Sequence, residues 1–432
     1  MNRFWKILTS LRITVAMLAF SVLLVFFGTL SQVDNGLWKA QAIWFRSWIV
    51  TMQHLQLFDW RFLVPIFPGG RAIGTVLTVN LVAAFLKRFS WKREKIGIHF
   101  IHSGVILLLL GQLATEIFSN ESHLRLKEGE TRNFSEDHLK DELAFSTDVA
   151  DGKEEVVAIP ESMLKTGKEI TTDKLPFTIR VKQYALNSQL RRRGPMVDGP
   201  AVATQGTGTQ LVAQPQPEAT SEDSRNMPFA YIELQKNGQS LGTWLVSPWL
   251  GLFGIAPQEV TVDGKKYRAD FRFERYYKPF SVKLLKATHE VYRGTEIPKN
   301  FKSRIRISDS TTNEAREVDI YMNHPLRYAG STFYQYQMGS EEMTPDRDEK
   351  APKDSTLQVV HNPGWLTPYA GCYIVAIGMY MQFRQHLTRF LGKRLGTEGN
   401  KGRWGGWVGR LLEVTVLAYL LFRFTLKLFG YY

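Results

Sequence analysis

Ile96 to Phe118, IGIHFIHSGVILLLLGQLATEIF, is an apolar run that carries two imidazoles, His99 and His102, near one end. As a helix rising about 1.5 Å per residue it is roughly 35 Å long, enough for a hydrocarbon core of about 30 Å. The stretch therefore reads as a membrane helix. An ionisable side chain at that depth costs on the order of 2–3 kcal/mol or more unless it faces protein, water or a ligand, which makes each histidine a functional candidate. Three residues at about 100° each return His99 and His102 to one face, roughly 4.5 Å apart in depth. Two rings so placed cannot clamp one flat metal macrocycle from both sides. If either ligates iron, the opposite axial ligand comes from another helix or another chain. The alternative is a histidine hydrogen-bonded to a helix carbonyl.

Working outward, the 432 residues segregate into apolar blocks at both ends and a long polar block between them. Lys and Arg number 54 against 41 acidic residues, a net charge of +13, but the basic residues gather in short segments beside the apolar runs. That placement encodes membrane topology and argues against a nucleic-acid surface. A single cysteine, Cys372, excludes an internal disulfide framework, CxxC redox chemistry and a thiolate zinc site. The first apolar run is too long for a cleaved signal peptide.

Residues 11–30 form the first expected span, with a cytoplasmic N-terminus. Residues 31–70 form an outer interfacial segment, in which 38–57 reads as a helix lying in the interface. Residues 72–86 form the second span, and five basic residues in the nine-residue KRFSWKREK (87–95) hold the next loop inside. The third span, 96–118, then leads outward. Residues 119–365 read as an extracytoplasmic β-rich domain, sandwich- or barrel-like. FTIRVKQY (177–184), FAYIEL (229–234), EVTV (259–262), KYRADFRFE (266–274) and SRIRIS (303–308) are its strand signals, with hairpin signals at Asn237-Gly238 and Asp263-Gly264. Between them, 188–226 is rich in Gly, Pro, Gln, Ser and Thr and is expected to be disordered, hence deletable. Residues 366–383 are the fourth span and 384–407 a basic cytoplasmic segment. Residues 408–429, interrupted by Glu413, Arg423 and Lys427, are a fifth span or an interfacial helix. The fold class is thus an α+β integral membrane protein with four or five transmembrane helices and a large outer β domain.

Within Asn323-His324-Pro325-Leu326, Pro325 lacks a ladder donor, so the run should turn at a sheet edge into a strand from Ser331, along which Tyr334 and Gln335 alternate faces. Outside the spans, His123, His138, His289 and His324 read as surface or hydrogen-bonded residues, His361 and His386 flank the fourth span near the headgroups, and His54 is left unassigned.

Several runs in order resemble the ResB/CcsB family of the system II cytochrome c maturation pathway. They are GTLSQ (28–32), FPGG (67–70), Asn80-Leu81, HSG with LLLLG (102–111), RLKEGETRNFSE (125–136), GTEIPKNFKSRIRISD (294–309), IYMNHPLRYAGSTFYQ (320–335) and NPGW (362–365). The resemblance implies a protein of the bacterial cytoplasmic (inner) membrane with its large domain on the periplasmic side, handling haem b together with a CcsA-type membrane protein and apocytochrome c. It implies a co-catalytic or non-catalytic subunit of a cytochrome c synthase, since the CcsA-type WWD loop is absent and RWGGWVG (403–409) does not replace it. It also implies His102 as the axial ligand of the haem iron, with His99 the second candidate, and gives Asn323, Pro325, Leu326, Tyr334 and Gln335 a structural or docking role. Two other readings stay open: an assembly factor or apocytochrome chaperone that binds no haem, and an electron-transfer cytochrome. The latter would need four axial ligands in the membrane, where only His99 and His102 qualify.

Overall fold

A computed structural model gives the fold and describes residues 3–51, 65–149, 152–194, 199–219, 225–293, 298–338 and 354–394, with Tyr419 and Arg423. Its helices are α1 (Arg3–Leu8), α2 (Leu11–Ala40), α3 (Gly70–Arg88), α4 (Ile96–Phe118), the short α5 (Pro248–Leu252) and α6 (Thr367–Arg394). Among the described residues, three helical stretches are long and apolar enough to cross a membrane: Leu11–Phe45, Gly70–Arg88 and Arg93–Phe118. The expected fourth span lies in α6, whose later turns carry Arg384, Arg389, Lys393 and Arg394. The expected fifth helix falls outside the described residues except for Tyr419 and Arg423. By its internal contacts the chain divides into two units, 1–13 with 78–112 and 366–432, and 14–77 with 113–365.

In the first unit the buried Asn80 donates from Nδ2 to the carbonyls of Leu8 (2.6 Å) and Ser10 (3.2 Å), where α1 gives way to α2. α4 and α6 meet along a seam of glycines. A Cβ on Gly104 would stand 2.7 Å from Val375 Cγ2 and 2.8 Å from the Gly371 carbonyl, and one on Gly378 would stand 2.7 Å from the Gly97 carbonyl. Gly97, Gly104 and Gly111 recur every seven residues, as do Gly371 and Gly378, the repeat of a helix pair sharing one continuous seam.

In the second unit, α2 continues through a π-turn (Gln41–Phe45) into a small ribbon of β1 (Ile49–Thr51) and β2 (Pro65–Pro68). Of the interfacial helix expected over 38–57, residues 38–45 are helical, whereas 49–51 are a strand instead. Gly36, at φ 70°, bends the chain, and Trp44 then stacks on Phe27 at 5.9 Å and is buried with Ile43, Val50 and Ile73. Residues 52–64, the rest of that segment, lie outside the described residues.

The β region comprises β3 (Asn120–Lys127), β4 (Thr131–Val149), β5 (Lys153–Pro160), β6 (Glu169–Ile170), β7 (Thr178–Ala185), β8 (Ser188–Arg192), β9 (Leu211–Pro215), β10 (Phe229–Lys236), β11 (Gln239–Val246), β12 (Gln258–Val262), β13 (Lys265–Val291), β14 (Pro298–Asp309), β15 (Glu314–Tyr321), β16 (Leu326–Tyr328), β17 (Ser331–Met338) and β18 (Asp354–His361). Asn237-Gly238 and Asp263-Gly264, all at positive φ, form the two-residue hairpin turns expected of them. Strands β15-β14-β13-β4-β3-β18-β17-β16 form one curled sheet, with β5 and β12 alongside. The curl lets Ser303 Oγ of β14 reach Gln335 Oε1 of β17 and Ser355 Oγ of β18, both at 2.7 Å. The sheet encloses a barrel-like core of Leu124, Leu126, Val282, Leu284, Ile305, Ile307, Ile320, Phe333, Leu357 and Val359.

The four-stranded sheet β11-β10-β7-β6 instead packs on β4, β5, β12 and β13 as a sandwich, with Phe145, Phe177, Ile179, Ile232, Trp244 and Phe271 inside. The 27-residue β13 serves both cores, giving Phe271 to the sandwich and Leu284 to the barrel. Between them lies a belt of ion pairs and hydrogen bonds: Arg272 to Glu142 (3.0 Å), Arg275 to Glu136 (3.1 Å), Tyr276 Oη to Asp137 (2.7 Å) and Arg225 to Asp141 (2.7 Å). The first strand of the region pairs with the last, from Asn120↔His361 to Lys127↔Asp354, and Thr115 Oγ1 donates to Asn362 Oδ1 at 3.3 Å beside that junction.

The disorder expected over 188–226 is corrected for its described residues. β8 pairs with β9 from Ser188↔Pro215 to Arg192↔Leu211, and Leu190, Ala203 and Ala213 are buried with Phe229, Tyr231, Leu245 and Leu250. Polar composition concealed this, because a few small apolar residues borrow a core that the flanking strands supply. Gly208 is buried here, and a Cβ on it would stand 2.6 Å from Leu245 Cβ and 2.7 Å from Ala203 Cβ. Gly208→Val is therefore expected to cost about 1–3 kcal/mol. Thermal melting of the β-sheet circular dichroism signal checks this, and an unchanged melt would mean that the segment carries no packing.

Candidate functional site

The glycine seam occupies one face of α4. At about 100° per residue His99 and His102 lie roughly 140–160° from Gly97 and Gly104, on the opposite side. They meet α3 and its following loop instead. Phe85 stacks parallel to His102 (6.3 Å between centroids, 19°) and stands edge-on to His99 (5.8 Å), while Phe89 lies over His99 at 4.6 Å.

The hydrogen bonds of the two rings differ. His99 Nε2 sits 2.8 Å from the Ser90 carbonyl, which ties this ring to the basic loop. His102 Nδ1 sits 2.8 Å from the carbonyl of Ile98, one turn earlier. A carbonyl accepts only, so His102 donates from Nδ1–H and its Nε2 carries the lone pair. No described residue hydrogen-bonds that nitrogen, and the half-exposed side chain leaves it reachable. A histidine that donates through one nitrogen and offers the other is the form that binds a metal, and the bond also fixes the ring's orientation. The residues present fit one axial position on a haem iron. The space beside Gly104 accommodates helix α6 rather than a ring.

Sequence reasoning found both histidines but missed Phe85, Phe89, the Ile98 carbonyl and the partner glycines of α6. The seven-residue glycine spacing was the readable sign of the last.

The remaining candidates lie in the β region, away from the two histidines along the chain. Asn323 takes φ 64° in a turn, with His324 stacked on Tyr321 at 4.1 Å, and the chain passes through Pro325 into the edge strand β16, where Leu326 is buried. In β17, Tyr334 is exposed, whereas Gln335 joins the buried serines Ser303 and Ser355. Tyr328 Oη donates to Asp309 (3.1 Å) and Glu314 (3.0 Å), and Thr311 also donates to Asp309, which holds that carboxyl below its usual range. These contacts describe a built sheet edge. They include no group of three His, Cys, Asp or Glu side chains able to hold a metal ion among the described residues.

Residues 255–351 match the ResB-like family, a span from β12 through β17 that contains the turn at Asn323. The chain is also similar to Protein NrfI of Wolinella succinogenes, 28% identical over 112 residues. That similarity covers 26% of this chain and 11% of the relative, so the chain corresponds to a small part of the longer protein. The ordered motifs from Gly28 to Trp365 resemble the same family beyond the matched residues, and the chain is thus similar to the ResB-like family.

Proposed function

We propose that this protein is a membrane subunit of the cytochrome c maturation machinery that binds haem b through His102 and acts with a CcsA-type partner, which carries out covalent attachment to apocytochrome c. The similarity of residues 255–351 to the ResB-like family supports the role in cytochrome c maturation. The observation that carries haem binding is the arrangement of His102, with Nδ1 held on the Ile98 carbonyl, Nε2 open and Phe85 stacked alongside. His99, tied to Ser90, is the second candidate. Bound haem would supply a redox-active iron whose potential responds to its axial imidazole. The chain's own part is to fix one imidazole, exclude water with Phe85 and Phe89, and offer Lys92, Arg93 and Lys95 as counter-charges for carboxylate substituents. The basic loop 87–95 is placed on the cytoplasmic side of the bacterial inner membrane and the β region on the periplasmic side, with α6 as the fourth span.

The test is a spectrum of the chain purified with its CcsA-type partner. His102→Ala is expected to lower the Soret absorption and haem stain several-fold and His99→Ala to do so less, with added imidazole partly restoring the first. A Soret band unchanged in His102→Ala would overturn haem ligation and favour the assembly-factor reading.

A further inference from the structure

We propose that His123 and His138 form an open two-imidazole site for a late first-row divalent metal ion on the β region. His123 of β3 lies opposite Glu136 of β4, and His138 is two residues further along β4, so both imidazoles stand on one face as diagonal neighbours. Their ring centroids are 5.1 Å apart with the planes at 76°. An imidazole nitrogen lies about 2.0–2.1 Å from a zinc-sized ion and its ring centre about 1 Å beyond, so two rings on one tetrahedral ion hold their centroids roughly 5 Å apart. The observed spacing matches that geometry.

A second observation points to a missing partner. His123 Nε2 is buried and has no hydrogen-bond partner. Buried nitrogens are nearly always paired, and an orphan calls for a bound water or ion. Tyr336 covers the same ring at 4.7 Å. Burial lowers both histidines from their usual range, with His138 and Arg125 adding to the effect on His123 and Arg225 to that on His138. The Asp137 carboxylate opposes that shift at both rings and supplies negative charge, while Arg125 and Arg225 restrict the site to ions that gain strongly from nitrogen ligands. Cu²⁺, Ni²⁺ and Zn²⁺ meet that condition, and Mg²⁺ and Ca²⁺ do not. Two protein ligands leave at least two positions to water or an incoming ligand.

The experiment uses the full chain in detergent with Cu²⁺ alone as the probe. One equivalent is expected to give an electron paramagnetic resonance spectrum with hyperfine structure from two nitrogens. His138→Gln, at an exposed position and so expected to fold, and His123→Gln should each weaken binding at least about tenfold. His324→Gln should leave it unchanged. Binding that survives both substitutions, or a spectrum without two-nitrogen ligation in the parent protein, would overturn the proposal. The test does not involve His102 or haem, so its outcome stands apart from that of the proposed function.

Discussion

Replacing Phe333 with alanine lowers the stability of the β region by about 3–5 kcal/mol. Phe333 is fully buried in the barrel-like core, edge-on to Phe280 with centroids 6.2 Å apart, and is surrounded by Leu326 and Val359 of neighbouring strands. Strands on either side fix the backbone, so the space left by the ring cannot collapse without disturbing the ladder. The loss corresponds to a fall in melting temperature of roughly 6–20 °C. Tyr334, the next residue, is 38% exposed, and its replacement by alanine should stay within about 0.5 kcal/mol. Paired thermal melts of the two variants decide the matter. Equal losses, or a Phe333→Ala loss below about 1 kcal/mol, would show that this strand is not the wall of a core. If the contrast holds, the inward residues of the signature strand are needed for folding, and the exposed Tyr334 is free to meet another molecule.

The second large effect concerns the polar belt between the two cores. Arg272 and Glu142 stand directly opposite each other on β13 and β4 with side chains only 12% and 7% exposed. Arg272→Met leaves the Glu142 carboxylate buried without its cation, at a cost of about 3–5 kcal/mol. Adding Glu142→Leu should recover most of that loss, because the pair removed together takes its desolvation penalty with it. The deficit should also depend on pH. Asp270, 3.9 Å from Arg272, already titrates above the usual carboxylate range because it is buried, and Arg272 counteracts that rise. Without Arg272 its folded-state value moves further up. The folded protein then holds a proton that the unfolded chain has released, so stability is regained as pH falls and lost as pH rises through the folded value. Urea titrations of the single and double variants between about pH 8 and about pH 5 read this directly. A deficit that grows on acidification would contradict the assignment.

How far these features could be read from sequence depended on how local their causes are. The hairpins at Asn237-Gly238 and Asp263-Gly264 were legible because the left-handed backbone of a two-residue turn selects those residues. The apolar length of α4 and its two histidines were legible for the same reason. That His102 is held through Nδ1 with Nε2 open, while His99 is tied through Nε2 to the basic loop, was not, since each bond rests on one carbonyl that the sequence pattern does not mark. The segment around Gly208 was misread because its apolar partners, Phe229 and Leu245, lie on strands that composition assigns elsewhere. The span beyond Gly36 was misread because a single glycine at φ 70° turned Trp44 from a membrane-interface residue into a core residue. The strands β4 and β13 were visible only in part, as the belt of charges at their middle interrupts the alternation that marks a strand.

The pairing of β3 with β18 carries a consequence for biosynthesis. At about 5–20 residues per second, roughly 10–50 s separate the emergence of β3 from that of the strand that covers its edge. A local hairpin such as β10–β11 closes in microseconds once both strands are out. For most of its translation the nascent chain therefore carries an incomplete barrel with one row of amide and carbonyl groups open, a template for wrong partners. A chain stopped before Asp354 stays in that condition permanently. The last strand is the latch of the whole region, and the loss of a few residues at that point should send far more of the protein to degradation than their number suggests.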